Sequence, residues 1–317
     1  MDYVPLGSSG LVSSVIGLGG GSSGRFGLAK GGTRADAVKL IRTALDLGIT
    51  FFDGAGLSGG VDELLAEGLG NARKDVLLAT KIHLGPDPLM LARVRIADHA
   101  CSWLARRTGT VCCGAVVQRR VERTLRALRT DTIDLLTLHA VSPRQYGRTL
   151  AEVMPKLAQL KKEGKIRAIG ISEGFLSDPA HAMLRAALVE PGVDAIMVGF
   201  NPANPSAAAT VLPQAERAGV GAIGMFALRG LGVSVQTTTP GRLTEAYRGI
   251  MAEAGAASLA ELAYRYSRHQ PGMTVVLTGT GNPDHLRENV AAVLAPPLSA
   301  SASDKLVAAA RCDAALG

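Results

Sequence analysis

The stretch that decides the fold runs Ile49-Thr50-Phe51-Phe52-Asp53-Gly54-Ala55-Gly56-Leu57-Ser58-Gly59-Gly60. An apolar run of strand-forming residues ends on a carboxylate and then breaks into glycines. This pattern is typical of a buried strand that delivers one charged group to the end of a parallel sheet. Two later apolar runs do the same, since residues 76–80 lead to Lys81 and residues 133–138 lead to His139. Charged and imidazole side chains at equivalent strand ends indicate chemistry as well as packing.

The same strand-then-helix order continues along the chain. A turn signal at residues 7–10 predicts an opening hairpin. Eight strands are predicted near residues 14–18, 49–53, 76–81, 133–138, 166–171, 195–200, 221–226 and 274–277. Helices are predicted over residues 33–48, 61–69, 114–129, 148–163, 179–190, 206–218, 256–269 and 283–292, with a long connection over 227–255 and a terminal helix from residue 303. Thr33 begins the first helix, with Asp36 as its expected capping-box partner.

The strands and their order predict the fold class. Apolar strands without alternation predict a parallel sheet that is buried on both faces. Eight strand–helix units in 317 residues favour a closed (β/α)8 TIM barrel over an open sheet. The expected fold is therefore α/β, with an N-terminal β-hairpin and an extra C-terminal helix. No linker or composition shift divides the chain, so residues 1–317 are expected to form one domain.

The composition excludes several classes of protein. With 47% hydrophobic and 19% charged residues the chain can bury a large core, and this excludes global disorder. No membrane span or secretory signal is recognisable, so we expect a cytoplasmic protein. The net charge of +7 is spread over the helices, which favours an anionic small molecule over nucleic acid as partner. The four cysteines do not form a metal-ligand pattern, and no metal is expected.

The charged strand ends suggest a catalytic site. In a barrel, the ends of successive strands are neighbours around the C-terminal mouth, where the active sites of this fold lie. Asp53, Lys81 and His139 would therefore converge there. A carboxylate holds an ammonium in place, an ammonium lowers the pKa of a nearby hydroxyl, and a histidine orients a carbonyl oxygen. The alternative is a salt bridge at the rim with a capping histidine.

The motifs that carry a family resemblance follow one another in order along the chain. They are Pro5-Leu6-Gly7-x-x-Gly10-Leu11, Ile16-Gly17-Leu18-Gly19, Gly48-Ile49-Thr50-Phe51-Phe52-Asp53-Gly54-Ala55, Ala79-Thr80-Lys81, Asp134-Leu135-Leu136-x-Leu138-His139, Glu163-Gly164-Lys165-Ile166-Arg167-Ala168-Ile169-Gly170-Ile171-Ser172 and Gly279-x-x-Asn282-Pro283-x-x-Leu286-x-Glu288-Asn289. Together they resemble the aldo-keto reductases over nearly the whole length. That resemblance implies a (β/α)8 barrel in which NADPH reduces a carbonyl group. It also implies a tetrad of Asp, Tyr, Lys and His that protonates the developing alkoxide.

One member of that tetrad is missing. Asp53, Lys81 and His139 match three of its positions, but Ser58 stands where the family has its tyrosine proton donor. A serine hydroxyl is far less acidic than a phenol and its side chain is shorter, and the loss of a positioned general acid typically costs a factor of roughly 10² to 10⁴. Other groups could donate the proton, namely Lys81 through a water, His139, His83 or Tyr146.

The resemblance also implies the cofactor-binding residues. The C-terminal segment resembles the family's adenosine-phosphate site at a helix N-terminus. The implied NADPH-binding residues are Ser172, Glu173, Phe226, Gly279, Thr280, Asn282, His285, Glu288 and Asn289. Ser172 is kept from the pair that holds the nicotinamide amide, while Glu173 replaces its asparagine. Phe226 replaces the stacking tyrosine, and Met197 replaces a glutamine. His285 and Arg287 could supply positive charge to a 2′-phosphate.

Three hypotheses about function follow. The first is an NADPH-dependent oxidoreductase of the aldo-keto reductase type with an incomplete tetrad, acting on a small molecule that carries a carbonyl or an unsaturated bond. The second is a barrel that performs non-redox acid–base chemistry, such as dehydration, isomerisation or cyclisation, with NADP(H) vestigial or absent. The third is a catalytically silent binding subunit. The C-terminal segment favours the first, and the missing tyrosine favours the other two.

Overall fold

Eight parallel strands close into a barrel. The computed structural model describes residues 1–21, 24–56, 60–85, 105–229, 231 and 242–316. The barrel strands are β3 (Ile16–Gly19), β4 (Phe51–Asp53), β5 (Leu77–His83), β6 (Ile133–Val141), β7 (Ile166–Glu173), β8 (Ala195–Gly199), β9 (Gly221–Met225) and β10 (Val275–Thr278). Each pairs with its neighbour in chain order, and β10 closes the ring on β3. The prediction of a (β/α)8 barrel is confirmed.

A short antiparallel hairpin precedes the barrel. Its strands are β1 (Tyr3–Pro5) and β2 (Val12–Ser14), as the sequence predicts. Leu6 and Leu11, at the turn, belong to the apolar cluster inside the barrel. A Cβ on Gly7 would lie 2.3 Å from the carbonyl oxygen of Gly219, in the segment that enters β9. The hairpin turn therefore packs tightly against the N-terminal end of the barrel.

Helices connect the strands on the outside of the barrel. They are α1 (Arg34–Asp46), α2 (Val61–Leu69), α3 (Gly114–Leu128), α4 (Pro143–Arg148), α5 (Met154–Lys162), α6 (Ala182–Ala187), α7 (Ser206–Ala209), α8 (Val211–Ala218), α9 (Arg242–Ala254), α10 (Leu259–Arg268), α11 (Pro283–Leu294) and α12 (Ala300–Leu316). The predicted capping box of Thr33 and Asp36 begins α1. None of the described helices combines the length and the apolarity that a membrane crossing requires.

Two helix predictions need correction. The sequence predicts a long connection over residues 227–255, but α9 occupies its second half. This helix buries Tyr247 and Ile250 and packs against α12, so tertiary contacts offset the cost of about 1 kcal/mol for the internal Gly249. The single helix predicted over 148–163 is instead α4, a π-helical turn (Thr149–Val153) and α5. The wider turn precedes Pro155, which has no backbone N–H to donate.

The buried apolar side chains form two layers. The inner layer fills the interior of the barrel and contains Leu6, Leu11, Phe51, Leu77, Ala79, Leu135, Ala168, Ala195, Met197, Ile223 and Val275. The outer layer lies between the strands and the helices. Successive residues of a strand point to opposite faces. Asp53 therefore shares the inner face with Phe51, and Lys81 shares it with Ala79.

Candidate active site

Asp53 and Lys81 form a buried ion pair at the C-terminal end of the barrel. The side chains lie on neighbouring strands, and the Lys81 Nζ donates to both carboxylate oxygens of Asp53. The Nζ also donates to the carbonyl oxygen of Gly54 at 2.9 Å. Only 2% of Asp53 and 7% of Lys81 is exposed. Burial raises the pKa of the Asp53 carboxyl, and the Lys81 ammonium opposes that effect.

The segment after Asp53 lies directly on this ion pair. Gly56 has a φ of +62°, and a Cβ there would lie 1.9 Å from the carbonyl oxygen of Lys81. A Cβ on Gly54 would lie 2.8 Å from the hydroxyl oxygen of Thr80 in β5 and 2.3 Å from a carboxylate oxygen of the buried Asp62 in α2. Two glycines thus allow the chain to approach β5 closely. Ser58, the residue in the place of the tyrosine, lies outside the described residues.

His139 meets a second histidine at the barrel mouth. His83 and His139 are aligned in the pairing of β5 with β6, two positions beyond Lys81 and Thr137. Their Nδ1 atoms are 3.1 Å apart and their ring centroids 4.4 Å apart, with the rings at 70° to each other. Because such a contact needs one donor and one acceptor, a proton lies between the two rings. His83 follows Lys81 on the same strand face, so β5 connects the imidazole pair to the ion pair.

Tyr146, another suggested proton donor, belongs to the outer layer. It lies in α4, is 8% exposed and forms part of the apolar cluster between strands and helices. Its hydroxyl is buried without a hydrogen-bond partner in the described part of the chain. Burial also raises the pKa of the Tyr146 phenol, which makes it a weaker acid. The position of Tyr146 therefore does not suit protonation of a substrate.

Ser172 holds the backbone next to His139. Its Oγ accepts a hydrogen bond from the N–H of Ala140 at 2.7 Å. Ala140 has a φ of +50°, and the register between β6 and β7 shifts between Leu138 and Val141. Left-handed backbone is unfavourable for alanine, so a specific contact is needed to hold it. The Ser172 hydroxyl, predicted to hold a nicotinamide amide, thus already supports the segment that follows His139.

Glu173 is directed away from the mouth. Glu173 is among the residues that the resemblance implies for NADPH binding, but its side chain is 0% exposed in this structure and faces away from the barrel interior. Its oxygens accept instead from the Gly199 N–H at 2.8 Å and contact Nδ1 of His181 at 2.8 Å. The physical reason is strand parity, since Ser172 faces inward and the next residue faces outward. Burial raises the pKa of the Glu173 carboxyl, and the contact with His181 opposes that effect.

Phe226 presents an aromatic face at the mouth. It is 42% exposed and has a φ of +67°. The ring centroids of Phe175 and Phe226 are 5.6 Å apart, with the ring planes at 30°. The Arg229 guanidinium carbon lies 5.4 Å from the Phe226 centroid. An exposed large aromatic ring beside a site is a candidate surface for stacking a planar ligand. Met197, in contrast, is buried in the inner apolar layer.

The C-terminal segment forms a loop that leads into a helix, as predicted, and the structure shows that the helix is capped. Asn282 is the N-cap of α11 and accepts from the N–H of Asp284 at 2.8 Å. The Thr280 hydroxyl accepts from the N–H of Asn282 at 3.0 Å. Arg287 pairs with Asp284, while Asn289 is buried and donates to Thr278 at 2.8 Å. The remaining predicted residues of this segment, Gly279, His285 and Glu288, are exposed.

No group of three or more His, Cys, Asp or Glu side chains among the described residues could hold a metal ion. The described residues bring the ion pair, the imidazole pair and a helix N-terminus to the mouth. A (β/α)8 barrel with such groups at the C-terminal ends of its strands has the arrangement of a barrel enzyme.

Comparison with known proteins identifies the family. The Aldo/keto reductase family profile matches residues 15–311. The chain therefore belongs to the aldo/keto reductase family. The known proteins that it resembles in sequence are named as oxidoreductases. The chain is 27% identical over 304 residues to L-galactose dehydrogenase of Arabidopsis thaliana. The matched region covers 91% of this chain and 86% of that protein. It is 35% identical over 173 residues to the aldo-keto reductase YhdN of Bacillus subtilis, covering 54% of this chain and 47% of that one.

Solved structures agree on the fold. An aldo-keto reductase from Bacillus halodurans in its holo form superposes with a TM-score of 0.73 at 23% identity, over 98% of this chain and 96% of that one. A putative aldo-keto reductase from Pseudomonas aeruginosa superposes with a TM-score of 0.65 at 27% identity, over 92% of this chain and 94% of that one. The first likeness, at its low identity, concerns the fold alone.

Proposed function

We propose that the protein is an NADPH-dependent oxidoreductase that reduces a carbonyl group of a small molecule with a proton donor other than tyrosine. The observation that carries this proposal is the buried Asp53–Lys81 pair beside two paired imidazoles at one barrel mouth. Family membership supports oxidoreductase chemistry. The choice of NADPH rests on the sequence resemblance.

The residues present fit a dinucleotide. At the exposed start of the twelve-residue helix α11, Pro283 has no N–H and the N–H of Asp284 is bonded to Asn282. A phosphate there would therefore depend on the N–H of His285 and on the positive end of the helix dipole. Thr280 offers a hydroxyl there, and His285 offers a ring that can carry positive charge. Directly after the neighbouring strand β9, the exposed face of Phe226 suits a nicotinamide ring. NADPH, when bound, supplies a hydride to a carbonyl carbon.

We assign Lys81 an electrostatic role. An ammonium has three N–H donors, and Lys81 already faces three acceptors, which are the two oxygens of Asp53 and the carbonyl oxygen of Gly54. It has no donor left for a substrate oxygen in this conformation. Its positive charge still stabilises negative charge that develops nearby.

The imidazole pair is our proposed source of the proton. As hydride adds to the carbonyl carbon, the C=O π electrons move to oxygen, and an imidazolium N–H of the His83–His139 pair gives that oxygen its proton. Solvent then returns a proton to the pair. Imidazole suits this task because its charge changes near neutral pH. Ser58, with its weakly acidic hydroxyl, needs no role in this scheme.

Titration of the purified protein with NADPH tests the cofactor assignment. We expect enhanced fluorescence of the reduced nicotinamide on binding, and oxidation of NADPH with at least one member of a panel of aldehydes and ketones. A protein that does not bind NADPH would contradict the proposal. The missing tyrosine would then favour the second hypothesis, in which Asp53, Lys81 and His139 perform non-redox acid–base chemistry.

A further inference from the structure

Glu173, His181 and Ser206 form a buried chain of hydrogen bonds beneath the barrel mouth. Nδ1 of His181 lies 2.8 Å from Oε2 of Glu173, and Nε2 of the same ring lies 2.9 Å from Oγ of Ser206. The side chains of Glu173 and His181 are both 0% exposed. The Gly199 N–H adds a bond of 2.8 Å to Oε1 of Glu173. These contacts connect the end of β7, the loop after it, the end of β8 and the start of α7.

The protons at the Ser206 end can be placed from Asn204. Oδ1 of Asn204 accepts from the backbone N–H of Ser206 at 3.3 Å, and Nδ2 donates to the Pro179 carbonyl oxygen at 3.3 Å. These two partners fix which way the amide faces. The Ser206 hydroxyl has one proton, and its two acceptors are Oδ1 of Asn204, in a short contact, and the Pro179 carbonyl oxygen at 3.3 Å. With either acceptor, no proton of that hydroxyl is left for His181. His181 consequently faces a lone pair of Ser206, and its Nε2 must carry a proton.

The Glu173 end requires one more proton. An ionised carboxylate only accepts hydrogen bonds, so the contact between Glu173 and Nδ1 contains a proton on one side or the other. The pair is then either an imidazolium with a carboxylate or a neutral imidazole with a carboxylic acid. Both states are electrically neutral overall, which suits complete burial. The nearby carboxylate of Asp178 is held by the N–H groups of Ala182 and Met183.

An aromatic contact connects this pair to the mouth. The Phe175 ring stacks on the His181 ring, with the ring centroids 6.3 Å apart and the ring planes at 26°. Phe175 also contacts the exposed ring of Phe226. Gly199 leaves room for the Phe175 ring because it has no side chain, and a Cβ there would lie 2.2 Å from that ring. Glu173 holds the N–H of that same glycine. Movement of the buried pair would therefore displace Phe175, and with it the exposed Phe226.

The backbone of His181 is left-handed, with a φ of 57° and a ψ of 31°. This conformation is uncommon outside glycine, although asparagine, aspartate and histidine adopt it more often than other residues do. We propose that His181 is a positioning residue. Paired with Glu173 and carrying a proton on Nε2, it holds the contacting rings of Phe175 and Phe226 in place against the nicotinamide end of NADPH. This inference rests on the proposed function for the identity of the ligand.

Nitrogen-15 NMR of the histidine rings tests the proton placement in the wild-type protein without any cofactor. We expect His181, assigned by comparison with His181→Asn, to show a protonated Nε2 at neutral pH. Ser206→Ala removes the acceptor of that proton and should shift the Nε2 resonance. A wild-type spectrum with an unprotonated Nε2 at neutral pH would overturn the assignment.

The positioning role is tested with His181→Asn, since asparagine tolerates left-handed backbone. We expect a KM for NADPH that is raised by about tenfold and a kcat that is lowered by about 10- to 100-fold, the size of effect that a small misplacement produces. His269→Gln is the control, since the His269 ring bonds the Ala295 carbonyl away from this cluster. Wild-type values for His181→Asn would overturn the positioning role. Failure of the wild type to bind NADPH would instead refute the proposed function.

If His181→Asn does not fold, Phe175→Leu tests the aromatic link by itself. It keeps the buried pair and removes the ring that contacts Phe226. We expect it to raise the KM for NADPH in the same direction, and an unchanged KM would contradict the link.

Discussion

Gly27 and Gly281 touch backbone to backbone, at the place where the loop after β3 crosses the loop that begins α11. A Cβ on Gly281 would lie 2.3 Å from the Cα of Gly27 and 2.9 Å from its nitrogen. Gly27 itself has a φ of +98° within the 3₁₀ turn Arg25–Lys30. The contact therefore brings a segment with two basic residues, Arg25 and Lys30, to the candidate phosphate site.

Gly281→Ala should weaken NADPH binding. The added methyl group cannot fit against Gly27, so one loop must move away, and overpacking of this kind costs about 1–3 kcal/mol. We expect the Kd for NADPH, measured by nicotinamide fluorescence, to rise by at most roughly five- to 150-fold, the equivalent of this cost. Gly24→Ala is the matched control, because in the described part of the chain nothing beyond its direct neighbours lies within 4 Å of its Cβ position, and its φ is −122°. Equal affinities for the two variants would contradict this role for the contact.

Lys81→Met should destabilise the protein and abolish carbonyl reduction. The substitution leaves the buried carboxylate of Asp53 without its cation, and breaking a buried pair typically costs about 3–5 kcal/mol. The free energy of unfolding in urea measures the effect. The double variant Asp53→Asn/Lys81→Met should lose less than the sum of the single changes, because the two side chains interact directly. Additive losses would show that the pair contributes little.

Ser58→Tyr should increase carbonyl reduction. It adds a phenol at the position where the sequence resemblance places the tyrosine proton donor. Because the imidazole pair already supplies a proton in the proposed scheme, the gain should be smaller than the factor of roughly 10² to 10⁴ that a general acid brings to a site without one. The measurement is kcat with the best substrate of an aldehyde and ketone panel. Ser58→Phe supplies the ring without the hydroxyl and should give no gain. A gain of the same size in both variants would point to packing and not to proton transfer.

His83→Gln should lower kcat by roughly 10²-fold or more if the imidazole pair supplies the proton. The reason is that the pair loses one of its two rings and cannot share a proton. The pH profile of kcat should also lose the limb that reports imidazole protonation. In a Ser58→Tyr background the same change should have a much smaller effect, since the phenol takes over. An equal loss in both backgrounds would contradict a donor role for His83.

The Glu173 carboxyl should make stability depend on pH. Burial raises its pKa above the ordinary value of 4.5, so the folded protein binds this proton more tightly than the unfolded chain does. The resulting stabilisation is complete below that ordinary value and is lost as the pH rises through the folded pKa. Glu173→Gln cannot titrate, so the wild-type free energy of unfolding should fall relative to that of the variant over this window. Urea unfolding at a series of pH values measures it, and a constant difference would argue against the shift.

Local patterns in the sequence were sufficient for the barrel and for part of the candidate site. Apolar strands, glycine breaks and a capping box each depend on a few neighbouring residues. They can therefore be recognised without knowledge of the rest of the chain. The positions of Asp53, Lys81 and His139 at strand ends follow from the same patterns. The serine at position 58 is likewise visible in the sequence.

Other features depend on how the barrel closes. The helix Arg242–Ala254 is stabilised by its packing against α12, which its glycine-interrupted sequence does not reveal. The direction of Glu173, its bond to His181 and the contact of Gly27 with Gly281 join loops that are distant along the chain. The sequence by itself thus determined which groups stand at the strand ends, because strand patterns are local. Only the tertiary structure decided which of those groups meet, because their partners come from neighbouring loops that barrel closure brings together.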